Sequence, residues 1–259
     1  ICAQTLPPGE IVLSDDASTD GSVSLVRETL RECLLARPGV SIELTVLENQ
    51  TALRVTKNFE QAVRACRGDL IALCDQDDVW VPDRLERMLA HFDRQPELLL
   101  LHSDARLVGA RLEDLGQTLF YALEVTTSEL QRIHDGRAFD VYLRRNLVTG
   151  ATTLFRRSLI EPSVPFPQGW IHDEWLGIIA AAIGKVDVLE TPLIDYRQHG
   201  GNQIGAQRDT FAGKVRKALA SRGETHVERA RRAQQLLERL EFLGDVVQEV
   251  NRQKVRGKL

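Results

Sequence analysis

The 259-residue sequence lacks the signatures of several protein classes. Its four cysteines form no CxxC pair and have no matching histidine spacing, so the sequence offers no zinc site, and we interpret them as small buried residues of a reducing compartment. No apolar run approaches the roughly 20 residues that span a bilayer, and no signal peptide opens the chain. A net charge of −4 gives no reason to expect a nucleic-acid partner.

The remaining composition is that of a globular protein with one large core. Hydrophobic residues make up 43% and charged residues 27%, which are ordinary values for a soluble chain. The length allows one large domain with an appendage. We therefore expect a cytoplasmic protein, with a place at the inner face of the membrane left open. Because no initiator methionine precedes Ile1, we expect a fragment that starts inside its first helix.

Strand-like and helix-like segments alternate along most of the chain. Apolar runs predict strands at 10–14, 42–47, 70–74, 98–102 and 186–189. Apolar residues at helical spacing predict helices at 22–36, 57–65, 82–93 and from 172 onward. The weaker pattern of 109–140 predicts a partly helical insertion. Such alternation is typical of a mostly parallel sheet with helices on both faces.

The composition changes near Ala206, where basic residues begin to outnumber acidic ones. We expect a domain at 1–206 and an amphipathic helical tail at 207–259. Acidic residues interleave with basic ones on the polar face of this tail, which favours packing on its own domain or on a partner subunit. Peripheral contact with a membrane is the alternative.

A dense acidic cluster follows the predicted strand 70–74. Asp75, Asp77 and Asp78 lie within four residues, and crowded carboxylates at a sheet edge need a cation or many hydrogen bonds. The spacing of Asp75 and Asp77 puts both side chains on one side of an extended segment. A divalent metal that holds a diphosphate is the leading candidate. The alternative is a solvated turn that caps the helix near Pro82.

A second acidic pair, Asp15 and Asp16, follows the predicted strand 10–14. Open α/β sheets bind ligands at the carboxyl ends of their strands, and both acidic groups fall there. The alternative is that this pair caps the following helix together with Ser18 and Asp20.

Five segments, taken in order, resemble the family-two glycosyltransferases of GT-A fold. They are 11–21 (IVLSDDASTDG), 69–80 (DLIALCDQDDVW), 149–157 (TGATTLFRR), 172–176 (HDEWL) and 196–202 (YRQHGGN). The rhamnosyltransferase-like branch of bacterial surface-polysaccharide synthesis is the most similar in character. The resemblance covers about 1–205 and implies an α/β, Rossmann-like sheet flanked by helices, whose usual first strand precedes this chain.

The resemblance also implies an activity and a set of site residues. The activity is an inverting transfer of a sugar from a nucleotide-diphosphate donor, such as dTDP-rhamnose or a UDP-sugar, to a hydroxyl of a glycan or lipid-linked acceptor, assisted by Mg²⁺ or Mn²⁺. It places the general base on Asp173. Donor contacts fall on Asp15, Asp16, Asn49, Asp75, Arg197 and His199. Metal ligands fall on Asp75, Asp77 and His199, and acceptor contacts on Thr149, Gly150 and Trp175.

Simpler roles compete with several of these assignments. Asp173 and Glu174 can be first-turn acids stabilised by a helix dipole. His199 can be a surface histidine, and Thr149 with Gly150 a tight turn. The three tryptophans can pack in the core, which is the commoner role of that residue.

Two positions depart from the family pattern. Ala17 and Arg54 stand where the family commonly has glycine. If either backbone has positive φ, its side chain adds strain of about 1 kcal/mol or more.

Two other functions remain as alternatives. A nucleotidyltransferase that makes a sugar nucleotide uses a related sheet, but it usually carries a glycine-rich, basic phosphate loop near its first strand, and no such loop is visible. A non-catalytic module would bind the sugar nucleotide only. Asp75, Asp77 and Asp173 together argue against the module, because a binding protein needs no base.

Overall fold

The structure, a computed structural model, describes residues 1–198 and 226–259. The strands are β1 Glu10–Asp15, β2 Glu43–Glu48, β3 Leu70–Ala72, β4 Val79–Trp80, β5 Leu98–Val108, β6 Asp114–Thr118, β7 Thr153–Arg156 and β8 Lys185–Arg197. The helices are α1 Ser22–Ala36, α2 Arg54–Ala65, α3 Arg84–Arg94, α4 Leu119–Ala122, α5 Thr127–His134, α6 Ala138–Tyr142, α7 Ile160–Ser163, α8 His172–Ile183, α9 His226–Phe242 and α10 Glu249–Arg256. Short 3₁₀ turns lie at Gly150–Thr152, Arg157–Leu159 and Gly244–Val246.

The predicted α/β fold is confirmed, but strand pairing differs from the prediction. β1 and β2 form a parallel pair. In the larger sheet the order is β3-β7-β5-β8-β4, with β6 on β5, and only β5 and β8 pair in parallel. β3, β5 and β8 share one direction, because β7 runs antiparallel to both β3 and β5. The larger sheet is therefore mixed rather than mostly parallel. The sequence did not predict this because β4, β6 and β7 are short return strands, and a sequence pattern does not encode the direction of a strand.

α8 lies at the centre of the main core. Leu176, Ile178 and Ile179 are at most 1% exposed, and the helix packs against α2, α6 and β8. A helix that is apolar on nearly all sides is stable only when neighbours surround it. Each of these side chains contributes about 1.5–3 kcal/mol by its burial. The start of α8 is consequently a rigid platform, and Asp173 lies in its first turn.

The described part of the tail packs on its own domain, one of the two arrangements that the sequence favours. Leu236 and Leu240 of α9 are buried in the main core beside Trp170. The expected boundary near Ala206 lies outside the described residues. Among the residues that the structure describes, no helix combines the length and apolarity needed to cross a membrane. The four cysteines are unpaired and, contrary to expectation, only partly buried.

Candidate active site

Four carboxylates from two distant parts of the chain share one region. The pKa of Asp75 is raised to about 6, chiefly by burial and then by the negative charges of Asp77 and Asp173. Asp173 therefore lies close to the acidic loop, nearly one hundred residues away in sequence. The pKa of Tyr196 is raised by burial and by the charges of all four acids, Asp78 included. The phenol of Tyr196 thus lies among the acidic side chains.

The end of β8 holds the acidic loop in place. The backbone amide of Arg197 donates to Oδ1 of Asp78 over 2.8 Å, and its Nε donates to the carbonyl of Asp77 over 2.7 Å. A further guanidinium nitrogen donates to the carbonyl of Ala110 over 3.1 Å. Arg197 was expected to face the diphosphate. In the structure it contacts the acidic loop itself, so it fixes the backbone that carries the carboxylates.

Arg84 lies beneath this loop at the start of α3. It is fully buried and stacks 4.0 Å from the centre of the Trp80 ring. Within the described chain, none of its three guanidinium nitrogens has a hydrogen-bond partner. Burial lowers its pKa to about 10, and the nearby Cys74 and Asp78 oppose that change. Burial also raises the pKa of Asp78 to about 7, with Asp75 and Asp77 adding to the rise. A buried cation therefore lies next to a buried carboxyl group whose pKa is near neutral.

Asp173 is held by two backbone amides. Gly150 donates to its Oδ2 over 2.8 Å, and Glu174 donates to its Oδ1 over 2.6 Å. Burial raises the pKa of Asp173 to about 6, and these hydrogen bonds oppose the rise. A carboxylate with a pKa near the working pH is suited to accept a proton. Its contact with Glu174 also stabilises the start of α8, so the simpler role and the catalytic role are compatible.

The glycine at position 150 allows this close approach. A Cβ there would lie 2.8 Å from Nε2 of His172 and 3.6 Å from Oδ2 of Asp173. His172 itself stacks on Phe59 at 3.9 Å, and burial lowers its pKa to about 3. The imidazole is therefore neutral. The carbonyl of Thr149 accepts from the hydroxyls of Thr152 and Thr153, over 2.8 and 2.9 Å, which forms the expected turn.

The first acidic pair mainly organises the backbone. Asp16 accepts from the amides of Leu53 and Arg54, over 2.6 and 2.9 Å, so it caps α2 rather than the helix that follows it in sequence. Asp15 accepts from the amide of Ser18 over 3.0 Å. Asn49 donates to Asp16 over 3.1 Å. These contacts join the carboxyl ends of β1 and β2 to α2.

The two positions that depart from the family pattern have positive φ. Ala17 has φ of 65° and Arg54 has φ of 66°. Both residues carry a side chain at positive φ, so both meet the condition for backbone strain that was stated from the sequence. The amide of Arg54 donates a hydrogen bond to Asp16, and this bond offsets part of the energetic cost of the strain.

The predicted acceptor residue Trp175 is enclosed in the core. Trp175 is 1% exposed, and its indole nitrogen donates to the carbonyl of Ser163 over 2.7 Å. Its contact with an acceptor stays a prediction, and in the structure α8 is enclosed by the core around this side chain. His199 lies outside the described residues.

Asp75 and Asp77 have the chemistry to hold a divalent cation. Among the described residues no group of three or more His, Cys, Asp or Glu side chains is arranged to bind a metal ion. Mg²⁺ usually binds one or two protein carboxylates together with substrate phosphates and water. Two neighbouring carboxylates that repel each other fit that pattern, so the donor set suits a cation that arrives with a diphosphate.

Sequence reasoning missed Tyr196 and Arg84. Tyr196 was part of a quoted segment but received no role, and its position directly before Arg197 was the available signal. The sequence around Arg84, which follows Pro82 and Asp83, does not indicate that its side chain is buried, because burial of a charged side chain depends on the tertiary fold.

The architecture is that of the GT-A glycosyltransferases, as solved structures with the same fold indicate. A fragment of Staphylococcus aureus TarS, residues 1–349 in complex with UDP, matches with a TM-score of 0.56 and 16% identity, covering 99% of this chain and 81% of the fragment. The mannosyltransferase PcManGT of Pyrobaculum calidifontis, in complex with GDP-Man and Mn²⁺, matches with a TM-score of 0.50 and 20% identity, covering 93% and 57%.

The chain belongs to glycosyl transferase family 2, whose model matches residues 1–162. EpsH of Bacillus subtilis (strain 168), which carries the name of a glycosyltransferase, is 28% identical over 76% of this chain and 54% of its own length. An uncharacterised protein of Mycobacterium tuberculosis (strain ATCC 25618 / H37Rv) is 27% identical over 74% and 51%. The chain thus spans about half the length of these relatives.

Proposed function

We propose that this chain transfers a sugar from a nucleotide-diphosphate donor to an acceptor hydroxyl with inversion, and that Asp173 is the general base. The observation that carries the proposal is the proximity of Asp173 to Asp75 and Asp77, seen in the charge effects on the pKa of Asp75. One carboxylate held by a rigid helix faces a pair that suits a cation. That arrangement would supply a base and a leaving-group site in one region of the molecule.

Asp75 and Asp77 would hold Mg²⁺ or Mn²⁺ with the donor diphosphate. When bound, the cation would neutralise the negative charge that develops on the departing phosphate oxygens. Asp15, Asp16 and Asn49 would border the nucleoside. The UDP and GDP-Man in the two solved structures support a nucleotide-sugar donor. His199 remains a proposed further ligand.

Asp173 would remove the proton from the acceptor hydroxyl as that oxygen attacks the sugar. A positioned general base typically contributes about 10²–10⁴-fold to the rate. With its pKa near 6, Asp173 is ionised at neutral pH and still basic enough to accept the proton. Inversion follows because attack and departure occur on opposite faces of the sugar in a single displacement.

The acceptor is proposed to be a glycan or a lipid-linked precursor of a cell-surface polysaccharide, and the donor dTDP-rhamnose or a UDP-sugar. Support for the donor sugar comes from the sequence resemblance alone. Gly150 and Thr149 lie beside Asp173 and would line the acceptor side. A cytoplasmic location, at the membrane face or free of it, belongs to the same proposal.

The test compares the unchanged chain with Asp173→Asn. Release of nucleoside diphosphate is measured with UDP-glucose, UDP-N-acetylglucosamine, dTDP-rhamnose and GDP-mannose, with Mn²⁺ and a set of glycan acceptors. We expect turnover to fall by about 10²-fold or more in the variant while nucleotide affinity stays within about threefold. Asp140→Asn, which alters a surface ion pair with Lys254, is the matched control.

Unchanged turnover in Asp173→Asn would contradict the role of the base. Pyrophosphate release from a nucleoside triphosphate and a sugar phosphate would indicate the nucleotidyltransferase alternative. Nucleotide binding without turnover of any donor would indicate the non-catalytic module.

A further inference from the structure

Helix α9 contacts the start of α8, where the proposed base lies. A guanidinium nitrogen of Arg232 is 2.5 Å from Oε1 of Glu174, the residue directly after Asp173. The two side chains are only 16% and 19% exposed. A partly buried ion pair is less screened by water and salt than a surface pair. The contact therefore links α9 to the residue whose amide donates to Asp173.

A second contact of Arg232 strengthens this link. Its guanidinium lies 4.2 Å from the centre of the Trp170 ring. Trp170 in turn packs edge-on against Trp175 of α8, with ring centres 5.1 Å apart. Arg232 thus approaches the first turn of α8 through its charge and through an aromatic stack. A planar guanidinium makes both contacts at once, whereas an ammonium does not stack in the same way.

The segment that leads into α8 is held on two sides. From α9, Arg239 donates to the carbonyl of Val164 over 2.8 Å, and Gln235 donates to that of Gln168 over 3.2 Å. From α2, the hydroxyl of Thr56 donates to the carbonyl of Trp170 over 3.1 Å, and Lys57 donates to the carbonyl of Phe166 over 2.7 Å. Glu60 of the same helix accepts from the amide of Phe166 over 2.9 Å. Position and direction of the α8 start are therefore set by two helices together.

We propose that Arg232 is a positioning residue for the transfer reaction, so that α9 is a working part of the catalytic unit. This inference rests on the proposed function of Asp173. Both α9 and Asp173 lie beyond the region 1–162 that the family model matches. Loss of Arg232 removes an ionic partner of a mostly buried carboxylate and loosens the turn that carries Asp173. A displacement of about 1 Å at a catalytic group can reduce the rate about 10²-fold.

The test uses Arg232→Met and Arg232→Lys in the full chain, with the donor set and acceptors named above. We expect kcat of Arg232→Met to fall about 10- to 100-fold, while the KM for the donor and the affinity for UDP with Mn²⁺ change by less than about threefold. Arg232→Lys keeps the charge and should regain part of kcat. Thermal unfolding shows whether each variant is folded.

Arg256→Met is the matched control, because it removes the same type of side chain from ion pairs with Glu241 and Glu249 in the same helical hairpin. Its kcat should stay within about twofold of the unchanged chain. The inference is overturned if kcat of folded Arg232→Met equals that of the control, or if nucleotide affinity falls as much as kcat. Asp173→Asn is run in parallel: if it keeps full turnover, the proposed function fails, whatever the Arg232 variants show.

Discussion

The amide of Gly150 donates a 2.8 Å hydrogen bond to Oδ2 of Asp173, across 23 residues of sequence. This contact brings the turn before β7 against the first turn of α8. It orients one carboxylate oxygen and leaves no room for a side chain at position 150. The geometry of the proposed base thus depends on a glycine in a different segment.

Gly150→Ala should reduce activity by displacing the base. The added Cβ would lie 2.8 Å from His172, which is itself fixed by stacking on Phe59. Overpacking of this kind costs about 1–3 kcal/mol of stability, and we expect kcat to fall about tenfold or more. Steady-state kinetics and urea unfolding measure the two effects. Gly9→Ala is the control, since a Cβ there meets no atom within 4 Å; equal effects of both changes would contradict the assignment.

Activity should fall as the pH drops through about 6. A general base acts only when ionised, and burial raises the pKa of Asp173 to about 6. Below that pH we expect kcat to fall about tenfold per pH unit, with an apparent pKa that reflects Asp75 as well.

Stability should not account for that loss at low pH. A buried carboxyl with a raised pKa binds more protons in the folded state, so its contribution to stability increases as the pH falls from 6 towards 4. Circular dichroism at pH 5 serves as the check on folding. A rate that is constant between pH 5 and 8 would show that no group with a pKa near 6 controls the reaction.

Arg84→Met should stabilise the fold. Burial lowers the pKa of Arg84 to about 10, although the nearby Cys74 and Asp78 oppose that change, so the loss of hydration outweighs what these neighbours return. An apolar side chain of similar length removes this desolvation cost, and we expect a gain of about 1 kcal/mol or more after the lost stack on Trp80 is subtracted. Urea unfolding at about pH 5.5 measures the change, because Asp78, with its pKa of about 7, is then largely protonated and loses no counter-charge. Arg87→Met on the exposed side of α3 should change stability by less than about 0.5 kcal/mol. A loss of stability in Arg84→Met alone would show that the charge is compensated.

The sequence predicts those features that depend on local patterns. α1 has the predicted bounds, and its apolar residues recur at helical spacing. β1 and β2 lie within one residue of prediction. The acidic loop and the start of α8 also fall where the motifs place them. Local periodicity and acids at strand ends carry this information because they act over a few residues.

The sequence does not predict structural features that depend on buried polar residues. β5 was expected to end at His102, because Ser103 and Asp104 resemble a polar strand end. In the structure all three are buried and β5 continues to Val108. The amide of Phe120 donates to Asp104 over 2.8 Å, and His102 bonds Tyr142 over 2.8 Å. These partners come from distant segments, as does Asp16, which caps α2.

The central claim is that Asp75 and Asp77 bind a divalent cation together with the donor diphosphate. Titration calorimetry of UDP, dTDP and GDP, with and without Mn²⁺, tests it most directly in the unchanged chain, in Asp77→Asn and in the Asp140→Asn control. We predict that Mn²⁺ tightens binding of one nucleotide by about tenfold or more, equal to about 1.4 kcal/mol, and that Asp77→Asn loses this gain. An equal gain from Mn²⁺ in Asp77→Asn, or no gain in the unchanged chain, would contradict the account.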